Sequence, residues 1–310
     1  MSRQSAYSVQ APSAVVMIRP HHFIVNTETA ADNRFQSGQG AEENLSSVAF
    51  EEISRAAETL RSHGVEVHLF EDSGTETPDS VFPNNWFSTH AGGHIAIYPM
   101  KAASRRRERR GDVIEMLKTS YRVQEVIDYS GLEPDGLFLE GTGAMVLDHI
   151  DRVAYAVRSN RADPIALERF STHFNFEPMV FDACDGDGVP IYHTNVLMCI
   201  ATGFALIGLD MMTVPARRQE MVARLERSGR RVISLTNEQI RRFAGNALEL
   251  QGISGRILAL STTALAALDA AQLAVIKESA MPVALDIPTI ERAGGSVRCT
   301  LAGIHLIPRT

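Results

Sequence analysis

The sequence predicts an α/β fold made of five copies of one strand–helix–strand–strand unit arranged cyclically. Three observations lead there. Short apolar runs of strand period alternate with amphipathic stretches of helical period along the whole chain. Polar residues head the last strand of each unit at a nearly fixed spacing: Glu140 to His193, His193 to Asn246 and Asn246 to Cys299 are 53 residues each, and Asn85 to Glu140 is close to that. Gly-rich or polar links follow each headed strand and read as hairpins into the next unit.

The first strands of the units are expected at Val15–Arg19, Ile95–Pro99, Val153–Arg158, Phe204–Leu209 and Arg256–Ser261. Helices should follow them, with buried faces such as Phe50, Ile53, Ala57 and Leu60, or Met221 and Leu225. Second strands are expected at Val65–Phe70, Tyr121–Ile127, Phe176–Phe181, Arg231–Leu235 and Met281–Leu285. The headed strands then begin at Asn84-Asn85, Glu140, His193, Asn246 and Cys299. The links are Ala91-Gly92-Gly93, His149-Ile150-Asp151, Thr202-Gly203 and Ile253-Ser254-Gly255. Only the first interval is longer, and its polar surplus over 20–39 suits a functional loop across one face. No such unit can bury its apolar faces alone, whereas five in a ring share a core and bring the polar heads to one central pocket. A doubly wound sheet would leave that coincidence of heads unexplained.

With 310 residues, 45% hydrophobic and 22% charged, the chain is expected to be one catalytic domain over 1–310, with 1–12 a flexible N-terminal extension. A net charge of −7 argues against nucleic-acid binding, and the basic run Arg105–Arg110 reads as a solvated face. Three cysteines, Cys184, Cys199 and Cys299, show neither zinc spacing nor a disulfide framework, so a reducing, cytoplasmic setting is expected. Neither a secretion signal nor a membrane span is expected, and the oligomeric state is not readable.

Cys299, His193 and Glu140 form a nucleophilic set. A thiolate can attack carbon, an imidazole can move protons, and a carboxylate can hold and polarise a substrate. Alone, each has an ordinary structural reading: a small buried hydrophobe, a hydrogen-bonded histidine and a paired carboxylate. Cys184 and Cys199 keep that reading. Gly294-Gly295-Ser296 ahead of Cys299 lets backbone approach a ligand closely, and the shared period favours function for the three together.

Gly294-Gly295-Ser296-Val297-Arg298-Cys299, Leu139-Glu140-Gly141-Thr142-Gly143 and Tyr192-His193-Thr194-Asn195-Val196 resemble the guanidino-group-modifying (pentein, amidinotransferase) superfamily. That group includes arginine deiminases, amidinotransferases and dimethylarginine dimethylaminohydrolases. Met17-Ile18-Arg19-Pro20 and Phe82-Pro83-Asn84-Asn85-Trp86-Phe87-Ser88 are similar to the citrulline-utilisation hydrolase group, CtlX. The resemblance implies a five-bladed α/β propeller of pseudo-repeated ββαβ units. It also implies a covalent thiouronium- or thiocarbamate-like adduct on Cys299, with His193 protonating the leaving amine and then activating water. It implies no metal or organic cofactor, Glu140 on substrate nitrogens, and Arg161 of Ser159-Asn160-Arg161 on the substrate α-carboxylate.

Where many relatives carry acidic residues, this chain has Asn84-Asn85. An amide suits a neutral ureido group better than a carboxylate does, so citrulline is favoured over arginine. Asn246, one of the periodic heads, joins Asn84, Asn85 and Arg161 as a candidate substrate contact. His21, His22 and Glu28 lack zinc-site spacing and are not read as metal ligands. The sequence therefore reads as a cysteine hydrolase taking citrulline to ornithine, ammonia and carbon dioxide. The rivals are an arginine dihydrolase or deiminase, a dimethylarginine hydrolase and, in another class, a non-enzymatic binding propeller.

Overall fold

The computed structural model describes residues 9–30, 33–37 and 44–309. These form five three-stranded sheets. One contains β1 (Ala14–Pro20) and β2 (Glu66–Asp72); the next contains β3 (Phe87–His90), β4 (His94–Ile97) and β5 (Glu125–Asp128). The third contains β6 (Met145–Asp148), β7 (Val153–Val157) and β8 (Glu177–Phe181), and the fourth β9 (Met198–Ile200), β10 (Phe204–Ile207) and β11 (Arg231–Ser234). The fifth contains β12 (Leu248–Gly252), β13 (Gly255–Ser261) and β14 (Met281–Leu285). The last strand, β15 (Ala302–Ile304), returns to pair antiparallel with β1, Ala14 opposite Ile304, so the first sheet holds both ends of the chain.

The second to fifth sheets repeat one connection. An antiparallel hairpin leads into the middle strand, and a helical crossover returns to a parallel partner. The middle strands are covered on both faces, which is why β7 and β10 are apolar and buried at every position instead of alternating. Turn chemistry follows the expected links: Gly92 and Gly93 take φ of 92° and 88° between β3 and β4.

The crossover helices bury most of the anticipated stripe, Ile53, Ala57 and Leu60 in the first of them, whereas Phe50 is only partly buried. In that helix, Leu45–Ser62, the buried stripe comprises Leu45, Ala49, Ile53, Ala56, Ala57 and Leu60. Local signals fix helix ends as well. Asp163 accepts from the amides of Ile165 and Ala166 ahead of Pro164–Phe174, and Asp269 with Gln272 forms a capping box on Ala270–Lys277. Among the described residues no helix is long and apolar enough to cross a membrane.

Three expectations need correction. First, the polar heads do not start strands; most sit on single helical turns ahead of them. Glu140 and His193 cap the turns Gly141–Ala144 and Thr194–Leu197, five residues before β6 and β9. Cys299 instead lies inside the turn Val297–Thr300, three residues before β15, while Asn85 and Asn246 lie two residues before β3 and β12. The even spacing thus conceals three kinds of position. A turn satisfies backbone groups in a packed centre where a strand would leave them unpaired.

Second, the flexible extension expected over 1–12 does not describe Gln10–Pro12, which are buried. Gln10 donates to the carbonyls of Leu147 and Ile200, both at 3.0 Å, and accepts from the amide of His149 at 2.8 Å. Residues 1–8 lie outside the described residues. Third, Arg105 is not on a solvated face: it is 3% exposed and points inward.

Candidate active site

A narrow cavity lies where the turns converge. Its wall includes Phe82, Asn85, Tyr192, His193 and Cys299, with the charged Asp79, Arg105 and Arg161. It brings together four of the seven residues anticipated as the site: Cys299, His193, Asn85 and Arg161. Glu140 lies directly behind them, bonded to two.

Glu140 is wholly buried as the cap residue of its turn. Its Oε2 meets His193 Nε2 at 2.8 Å and accepts from Arg161 Nη1 at 3.2 Å, while Oε1 accepts from the amide of Lys101 at 3.1 Å. Burial alone would raise its pKa. Arg161, His193 and Arg105 outweigh burial and hold the carboxyl well below the usual carboxylate range. An ionised carboxylate can only accept, so His193 presents Nε2–H to it and keeps its lone pair on Nδ1. Burial brings the His193 imidazole down to about 4 despite Glu140, so the ring is neutral near pH 7. A neutral, oriented imidazole is ready to take a proton and then return it.

Cys299 lines the same cavity. Asn195 Nδ2 and Asn246 Nδ2 both donate to its sulfur, each at 3.2 Å. Asn246 also donates to the backbone carbonyl of Asn195 at 3.1 Å, which fixes the amide with its nitrogen toward the sulfur. Two donors aimed at sulfur suit a thiolate. Gly295 is needed beside the thiol, because an added Cβ there would lie 2.7 Å from Phe82 and 3.2 Å from the Cys299 Cβ. Gly294, at φ 81°, likewise has no room for a side chain against Asn33.

Arg105 and Arg161 add positive charge to the wall. Arg105 is gripped by Glu108 through a fork, Nε to Oε1 and Nη2 to Oε2, both 2.9 Å, and lies 3.7 Å from Asp79. Burial opposes its charge, but Glu108 and Asp79 hold the guanidinium more firmly protonated than free arginine. With its amide oxygen turned toward Arg105, Asn85 accepts from Nη1 and Nη2 at 3.2 and 3.1 Å. Arg161 lies 5.1 Å over the Tyr192 ring, whose hydroxyl donates to the carbonyl of Gly294 at 2.9 Å.

The long first loop reaches this cavity. Thr29 and Asn33 line it, and Asn26 donates to Asp79 at 2.8 Å. His21 pairs with Glu71 at 2.8 Å, whereas Glu28 accepts from Ser104, so the histidine and the carboxylate point to different partners.

Two anticipated substrate contacts lie elsewhere. Asn84 is wholly buried outside the cavity lining, and neither of its amide atoms has a partner among the described residues. Asn246 touches the sulfur from behind. Sequence reasoning missed Asp79, Arg105, Asn195 and Tyr192. Arg105 carried a usable signal, Glu108 three residues on inside a basic run, and Asn195 stands two residues past a periodic head. Asp79 lies outside the period and had none.

A protein-family model described as "N,N dimethylarginine dimethylhydrolase, eukaryotic" matches residues 19–306. No sequence among the curated proteins matches the chain. Among solved structures, the chain is similar to the substrate-bound N-terminal domain of ArgZ, an arginine dihydrolase from the ornithine-ammonia cycle in cyanobacteria. That match has 16% identity and a TM-score of 0.72, covering 94% of this chain and 97% of that one. It is similar also to AgrE in complex with ornithine and NAD+, with 18% identity, a TM-score of 0.72 and coverage of 96% and 40%. A third is DDAH from Pseudomonas aeruginosa complexed with citrulline, with 12% identity, a TM-score of 0.64 and coverage of 95% and 100%. Against the longer ArgZ and AgrE chains, this chain spans 41% and 40% of their length. At these identities the likeness shows the fold, the mixed α/β architecture of the pentein proteins.

Proposed function

The chain belongs to the N,N dimethylarginine dimethylhydrolase family, and from that membership we propose that it hydrolyses the ureido or guanidino group of an arginine-like amino acid through an adduct on Cys299. Citrulline is the proposed substrate, with ornithine, ammonia and carbon dioxide as products. The observation that carries this reading is the convergence of Cys299, His193 and two buried arginines on one cavity.

The residues present can perform each step. The Cys299 sulfur attacks the ureido carbon, and the carbon–nitrogen bond to the terminal amino group breaks. His193 Nδ1 takes the Cys299 thiol proton as the sulfur attacks and passes it to that nitrogen, which leaves as ammonia. The product is a thiocarbamate that still carries the ornithine nitrogen. Water, deprotonated by the same imidazole, then adds to that carbon and expels the thiolate. The carbamic acid so formed separates into ornithine and carbon dioxide, so one water is consumed overall. Glu140 orients the imidazole and stabilises its protonated form. The Arg161 guanidinium suits the substrate α-carboxylate, Arg105 adds positive charge behind it, and Asp79 suits the substrate ammonium group.

The cyclic closure of the sheets into a five-bladed propeller belongs to the same reading. It is supported by a second cavity lined by one strand from every sheet.

A guanidinium substrate is the second reading. The Asp79 carboxylate lines the same cavity as Cys299, and ArgZ, a similar structure, is described as an arginine dihydrolase. Measuring kcat/KM for citrulline, arginine and methylated arginines, with ornithine, citrulline and ammonia scored separately, separates the two. Citrulline is expected to be preferred, and Asn85→Asp to shift preference toward arginine by about 1–3 kcal/mol, the scale of a hydrogen bond to a charged group. Arginine at least as efficient as citrulline in the wild type, with no shift in the variant, would favour the second reading.

A further inference from the structure

The cavity lined by one strand from every sheet is distinct from the catalytic one. Residues of β3, β6, β9, β12 and β15 form its wall, together with Gln10, His149, Arg298 and His305. Consecutive residues of one turn therefore face two cavities: Cys299 lines the catalytic one and Arg298 the central one.

The polar content of the central cavity is one-sided. The Arg298 side chain makes a single hydrogen bond, Nη1 to the carbonyl of Leu301 at 2.9 Å, and no carboxylate pairs with it among the described residues. Beside it the rings of His149 and His305 stack with centroids 3.9 Å apart. Asp148, the acidic residue preceding His149, is committed to Arg230 at 2.8 Å. Burial lowers the pKa of Arg298, His149 and His305 alike, and Arg298 adds to the effect on both histidines. Arg298, His149 and His305 are each partly buried at this cavity, and a guanidinium lining so narrow a space is ordinarily paired with an anion. Here the donors converge on a narrow space with no acidic partner.

We propose that this central cavity is a binding site for a small inorganic anion, held by the Arg298 guanidinium and an imidazole N–H of His149; the His305 ring donates to the Val9 carbonyl and packs behind it. The anion completes the charge balance that the chain leaves open, and it braces the turn that carries Cys299. The narrowness favours a halide or a compact oxyanion over an organic acid. The proposal does not rest on the hydrolase reading, since its readouts are binding and stability.

The test is thermal unfolding of the full chain at constant ionic strength, with sodium gluconate replaced stepwise by sodium chloride or, in a separate arm, by sodium phosphate. Tm should rise and saturate with at least one of the two small anions, and the arm that responds says whether a halide or an oxyanion is taken. Arg298→Gln should weaken the apparent affinity at least tenfold. No rise beyond gluconate in either arm, or a saturable rise that survives Arg298→Gln, overturns the proposal. Should Arg298→Gln fail to fold, crystals of the unaltered protein grown with sodium bromide decide the matter. An anomalous bromide peak beside the guanidinium, or phosphate there in crystals grown with sodium phosphate, supports the site, and a cavity that holds neither overturns it.

Discussion

At Cys299 the decisive feature is two amide donors on one sulfur. Asn195 and Asn246 each spend a side-chain N–H on it, and their amide oxygens are left buried without partners. Leaving buried acceptors unpaired costs stability, which is a recurrent trade at functional sites. Donors so placed suit the negative charge that sulfur takes on as a nucleophile. Replacing either asparagine by alanine removes one donor worth about 1.5–3 kcal/mol to an ionised acceptor. Iodoacetamide labelling of Cys299 at pH 7, followed by peptide mass spectrometry, should therefore slow roughly ten- to a hundredfold in Asn195→Ala and in Asn246→Ala. Melting curves would confirm that both variants remain folded. Labelling at the unaltered rate in both would mean that these amides pack against the sulfur without stabilising its charge.

At the scale of elements, the short turns ahead of the inner strands explain what could be read in advance and what could not. Strand and helix periods are local, so the five units, their hairpin links and the range Met281–Leu285 were legible directly. Glu140 and His193 were legible because both occupy the same place, the cap of a turn. The even spacing on to Cys299 hid a shift of about half a turn, and with it the partners of the sulfur. Asn246 was anticipated as a substrate contact and touches the thiol instead. Asp79 and Arg105 escaped for another reason: their burial is created by tertiary packing between the first loop, the Ala103–Arg106 turn and Glu140, and no local pattern encodes it. A basic run usually lies in water, and only its first arginine is turned inward, where Glu108 grips it.

Over the whole molecule, the packed centre keeps several imidazoles neutral. Burial pushes His90, His149, His193 and His305 below the ordinary histidine value, the last two to about 4. In the unfolded chain these rings titrate near 6.5, so below that pH the unfolded state binds more protons. Their contribution is then fully present above about 6.5 and is lost as pH falls toward 4. Denaturant titrations should show stability dropping by on the order of 1 kcal/mol per imidazole for each pH unit in that window. A flat profile between pH 6.5 and 4 would show that the rings take up protons in place. The same packed centre brings Cys299 and His193 to one cavity, and the most direct test of the chemistry assigned there is mass spectrometry of the protein during turnover with citrulline. The expected result is a covalent increment equal to citrulline less ammonia on the Cys299 peptide, with both the increment and ornithine formation lost in Cys299→Ser. Ornithine formed by Cys299→Ser at the unaltered rate would contradict a thiolate mechanism.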